Sequence, residues 1–170
     1  MKILKIQALR GPNIWSVQRK KLIQMRLDLE EMEQFPTNKI EGFRERIEAM
    51  FPTMIEHRCS EGCRGGFFSR VERGTWMGHV IEHIALEIQT LAGMETGFGR
   101  TRETKTPGVY NVVFSYTEEN VGLFAAEASV QIAEALIAGN EYDLEATIQK
   151  MREIRERVRL GPSTGSIVEE

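Results

Sequence analysis

Two of the three histidines in this 170-residue chain stand four positions apart in the stretch GHVIEHIALE, with one carboxylate between them and another beyond. The pattern is H-x-x-E-H, formed by His79, Glu82 and His83 and followed by Glu87. Residues at i and i+4 are neighbours on a helix surface, so both imidazoles can turn a ring nitrogen toward one metal ion. Glu82 then stands beside the water that such an ion would acidify, and can take its proton. This is the inverted zinc-hydrolase arrangement, with Zn²⁺ held by two histidines and a glutamate as base. The polar face of a plain amphipathic helix produces the same spacing.

Glu87 is the nearest third ligand, but it lies about 12 Å along the helix from His79. It can equally orient His83 from outside the ligand shell. Glu127, on a later helix, is an alternative third ligand and reads more simply as a surface carboxylate. His57, Cys59 and Cys63 make a second cluster, without a fourth partner at zinc-site spacing. GFGRTRET, after the histidine helix, places Arg100, Arg102 and Glu103 on a loop. Guanidinium groups grip carboxylates through a two-pronged fork, so this is a substrate-binding loop or a solvated connection. Trp15 and Trp76 read as packing residues.

The element that must position this chemistry is a helix from about Thr75 to Leu91, with Thr75 as cap and Gly93 as stop. Ile81, Ile84, Ala85, Ile88 and Leu91 form its apolar stripe. His79, Glu82, His83 and Glu87 gather on the other side, toward a cleft or solvent. Period-two alternation predicts strands over residues 1–9, 23–29 and 109–116. Helical stretches are predicted at 43–50, from Phe67 to a break at Gly74, at 118–138 and at 143–158, and residues 94–108 read as loop. The fold class is α+β: a small mixed or antiparallel sheet packed by several helices, with H-x-x-E-H on a central one.

Composition sets limits. With 41% hydrophobic residues and a net charge of −3, the chain has an ordinary globular balance and no general basic footprint for nucleic acid. No uninterrupted apolar run reaches the roughly 20 residues of a membrane span, and MKILKIQALRGPN lacks the features of a secretory signal. Two cysteines only, Cys59 and Cys63, suit a reducing cytoplasm. The small, turn-forming GPSTGSIVEE at 161–170 reads as the start of a linker.

MKILKIQALRGPN, KLIQMRLDLE, GTWMGHVIEHIALEIQTLAG and GFGRTRETKTPGVYNVVF together resemble the N-terminal domain of the cyanophycin synthetase family, over residues 1–160. The resemblance implies a module that binds cyanophycin, a poly-aspartate carrying arginine on each side chain. It further implies a metallopeptidase-like site that cuts the polymer into primers, on positions matching His79, Glu82, His83 and Glu87. Complete members use ATP and Mg²⁺ in ATP-grasp and Mur-ligase-like domains and are expected to be homo-oligomers. No G-x-x-x-x-G-K-[ST] sequence occurs here, so ligation is expected to belong to those other domains.

Overall fold

The computed structural model describes residues 1–16, 21–58 and 65–160. Cys59, Cys63 and the 161–170 segment lie outside the described residues. Among the described residues four strands form one sheet: β1 (Lys2–Leu9), β2 (Leu22–Asp28), β3 (Gly99–Glu103) and β4 (Val109–Ser115). Their order is β1-β2-β4-β3, and every neighbouring pair is antiparallel. Among the described residues, five α-helices complete the architecture: α1 (Phe43–Met50), α2 (Phe67–Arg73), α3 (Met77–Leu91), α4 (Glu119–Ala138) and α5 (Leu144–Leu160). The fold is α+β.

Alternation decides which side of the sheet is the core. Ile23, Met25 and Leu27 of β2 are fully buried, and they pair with Phe114, Val112 and Tyr110 of β4. Cross-strand partners share a face. Against that face pack α3, under β3 and β4, and α4, under β1 and β2. Gly122 of α4 makes the close approach possible. A Cβ there would lie 2.8 Å from the Tyr116 Cβ and 3.0 Å from Ile23 Cγ1.

α4 has the length and hydropathy of a membrane-crossing helix, although charged residues interrupt its apolar run; 61% of that window is buried within the protein. Its last turn is tied down by Arg46 of α1. The guanidinium donates to the carbonyls of Leu136 at 2.7 Å and Ile137 at 3.2 Å, two acceptors left open at a helix C-terminus. α5 packs on α3 and α4 through Ile148 and Met151 and turns its charges outward.

Two expectations change. β3 forms within the stretch read as loop, because GRTRE has little intrinsic strand preference. Pairing with β4 supplies what composition lacks, and a charged edge strand resists edge-to-edge association. At α3 the cap position is Trp76, and the Thr75 hydroxyl instead lies 3.0 Å from His79 Nδ1.

Gly122→Ala should destabilise the domain by roughly 1–3 kcal/mol through overpacking between α4 and β2. Equilibrium urea unfolding measures this directly.

Candidate metal centre

α3 is buried nearly all round, not on one side only. Glu82, His83 and Glu87 are 4%, 2% and 3% exposed, so the predicted polar face meets protein and the floor of a cleft. Ionisable groups removed from water must find partners or give up their charge. Here they do both.

His79 Nε2 and His83 Nε2 face each other at 3.1 Å. Burial, with the nearby charge of Arg70, lowers the His79 pKa to about 4. Burial also holds His83 well below the usual imidazole range, and positive charge on His79 or His57 would push it lower still. Both rings are therefore uncharged near neutrality, the state that ligates metal. Phe67 of α2 stacks on the His83 ring at 4.4 Å between centroids and meets His79 edge-on at 5.9 Å.

The other nitrogen of His83, Nδ1, is 2.9 Å from His57 Nδ1. His57 follows the short 3₁₀ turn Pro52–Glu56, and its backbone N–H donates to the Met54 carbonyl. Its Nε2 is 2.7 Å from Glu87 Oε1, while the second Glu87 oxygen accepts from the Thr53 hydroxyl. The result is one continuous chain: Thr53, Glu87, His57, His83, His79, Thr75. All three histidines of the protein belong to it.

Glu82 sits beside this chain, with Oε2 3.9 Å from His83 Nε2. Thr101 of β3 donates to its other oxygen at 2.7 Å. Burial raises the Glu82 pKa to about 7, with the Thr101 hydrogen bond and the charges of Arg102 and Arg100 pulling the other way. Gly99 makes room for the carboxylate, since a Cβ there would fall 2.4 Å from Oε2. An open cleft of about 500 Å³ lies over Glu82, His83 and Glu87, between His57 on one side and Gly97–Gly99 on the other.

Zinc chemistry can be tested against these positions. Two imidazole nitrogens on a tetrahedral zinc are about 3.4 Å apart for Zn–N bonds of about 2.1 Å. The facing Nε2 atoms of His79 and His83 fit that edge at 3.1 Å. Among the described residues no three His, Cys, Asp or Glu side chains are grouped as a ligand set. Glu87 is turned to His57 and Thr53, and Glu127 is exposed on α4.

A model of the cyanophycin synthase-like N-terminal domain matches residues 24–138. The chain belongs to this family. Over its whole length it is 51% identical to the cyanophycin synthetase of a Synechocystis strain, 52% to that of Geminocystis herdmanii and 51% to that of Trichormus variabilis. It spans only about one fifth of those relatives, 20%, 20% and 19% of their lengths.

The arginine-bearing segment that reads as loop in the sequence is strand. Arg100 and Arg102 point from β3 to the sheet face away from Glu82. Glu103 Oε2 accepts from the Gly108 N–H at 3.0 Å and so braces the β3–β4 turn. Sequence reasoning missed His57, Thr53, Thr101 and Phe67 as parts of the site. Histidine scarcity was the one available signal for His57, which was grouped with the cysteines that follow it.

Removing the Glu87 carboxylate should leave His57 Nε2 and the Thr53 hydroxyl without their buried acceptor. Glu87→Ala is expected to cost roughly 1–3 kcal/mol of stability in a denaturant titration. A change within error of zero would mean the chain of contacts is not maintained in solution.

Proposed function

We propose that this domain binds cyanophycin, multi-L-arginyl-poly-L-aspartate, and hydrolyses its main chain in a zinc-dependent reaction that supplies primers for polymerisation. One observation carries the reading: the facing Nε2 atoms of His79 and His83 beside the Glu82 carboxylate, next to an open cleft. His79 and His83 would hold the metal. Bound zinc would supply Lewis-acid polarisation of the scissile carbonyl and a more acidic water.

The remaining work belongs to the protein's own groups. Glu82 takes the proton of the attacking water and passes it to the leaving amine as the amide C–N bond breaks, giving a carboxylate and an amine. Thr101 holds one Glu82 oxygen so that the other faces His83. His57, fixed by Glu87, holds the His83 ring through Nδ1, and Phe67 fixes its plane. Glu87 is thereby a positioning residue in this reading. Arg100 and Arg102, which strand alternation turns to the other face of the sheet, would hold carboxylates of the polymer beyond the cleft and not at the scissile bond.

In the whole synthetase, ATP and Mg²⁺ act in ligase domains outside this chain, within a cytoplasmic homo-oligomer. The domain's partners are then the polymer and those remaining domains.

A second reading is a polymer anchor without catalysis. It is favoured by the ligand set, which among the described residues stops short of three.

The test follows chain length. Purified domain, loaded with zinc and incubated with cyanophycin, should shorten the polymer, and a chelator should stop the shortening. Glu82→Gln should slow cutting by about 100-fold or more while leaving polymer association intact. Equal cutting by the variant would remove Glu82 as base. Association without cutting by the zinc-loaded parent would establish the anchor reading instead.

A further inference from the structure

β3 is the last strand of the sheet, and among the described residues no strand lies along its outer edge. Register decides which of its main-chain groups face that edge. The Ser115 N–H donates to the Phe98 carbonyl at 2.8 Å, and the Thr104 N–H to the Val109 carbonyl at 2.8 Å. Antiparallel pairs alternate between residues that exchange hydrogen bonds and residues that do not. With Gly99 opposite Phe114 and Thr101 opposite Val112, it is Arg100 and Arg102 that bond to β4. The main-chain groups of Gly99 and Thr101 point the other way, off the sheet. Among the described residues, the Gly99 N–H and carbonyl and the Thr101 N–H make no hydrogen bond. The Thr101 carbonyl accepts from Arg102 Nη1 at 2.8 Å.

An unpaired strand edge is a template for another extended chain. This one borders the candidate metal centre. The Glu82 carboxylate occupies the place where a Gly99 Cβ would stand, and Thr101 donates to its other oxygen at 2.7 Å. The cleft of about 500 Å³ over Glu82 and His83 is bounded on one side by Gly97, Phe98 and Gly99. At Gly97 a Cβ would meet nothing within 4 Å, so the space beside the start of the strand is open. The unpaired main-chain groups and both contacts to Glu82 therefore belong to the same two residues.

We propose that an extended α-peptide main chain pairs with this edge as a fifth strand, and that Gly99 and Thr101 thereby set the scissile bond beside Glu82. The proposal rests on the hydrolytic reading and supplies its substrate subsite, one that recognises main chain and not side-chain charge. Paired strands lie about 4.8 Å apart, so a chain held by Gly99 passes close to the carboxylate. Main-chain hydrogen bonds supply the affinity in strand addition and are the same at every unit of a repeating polymer, so cutting falls at internal bonds. A second copy of the protein is a poorer occupant. Antiparallel self-pairing about Thr101 would set Arg100 of one molecule opposite Arg102 of the other, and like charges placed opposite one another destabilise a sheet.

Residue-resolved amide hydrogen exchange tests this on the zinc-loaded Glu82→Gln domain, which in the hydrolytic reading holds the chain without cutting it. A short capped oligomer of aspartate, with arginine on each side-chain carboxylate, should at saturation slow exchange at Gly99 and Thr101 by about tenfold or more. Amides of β1, the opposite edge strand, should be unchanged. The same oligomer methylated on every main-chain nitrogen has no N–H to give the Gly99 carbonyl, and should bind about tenfold more weakly or worse. Cutting of the unmodified oligomer by the zinc-loaded parent is followed separately. Protection at Gly99 and Thr101 without cutting by the parent would support the edge and remove the hydrolysis. Cutting without protection would overturn the edge alone. Equal binding of the methylated oligomer would overturn it too, as would protection that rises with protein concentration when no oligomer is present.

Discussion

The structure depends on one constraint: a helix with two histidines and two glutamates is placed in the middle of a core. Glu82, His83 and Glu87 are almost wholly removed from solvent, and an isolated buried charge is too costly for a domain of this size. The solution combines two devices. His79 and His83 lose their charge, while Glu87 and His57 satisfy one another across 2.7 Å. Along this chain Glu87 and His83 take partners from Thr53 and His57, ahead of α2, while the contacts of His79 stay within α3 and at Thr75 just before it. A network of this kind is strong when complete and costly when broken.

The surrounding elements follow from that requirement. The 3₁₀ turn before His57 and the stacked Phe67 of α2 come from the long connection between β2 and α3. β3 contributes Thr101 and the space at Gly99. Gly78 of α3 serves the same approach, since a Cβ there would lie 3.1 Å from Thr101 Cγ2. Helix and edge strand come together closely enough for a threonine to reach the carboxylate, and the cleft remains open above.

The sheet itself divides the molecule's chemistry. Its inner face is apolar and carries the histidine helix; its outer face is lined by Lys5, Arg26, Arg100 and Arg102. These cations come from three strands distant in sequence, with one amide strand between them. Nothing in an overall charge of −3 suggests such a strip.

Local order was legible in the residues themselves. Period two in Ile23, Met25 and Leu27 specified β2, and period 3.6 with Gly93 specified α3, because backbone geometry repeats over a few positions. The angular grouping of His79, Glu82, His83 and Glu87 followed from the same geometry. Only the tertiary structure decided that His57 joins them, that Glu87 turns to His57, and that GRTRE becomes a strand. The first two depend on contacts 26 and 30 residues apart in the chain and the third on pairing with a neighbouring strand, and no local periodicity encodes them. Burial was decided at the same level: a polar helix face looks alike in sequence whether water or protein covers it, and the packing of β3, α2 and the 3₁₀ turn is what covers it here.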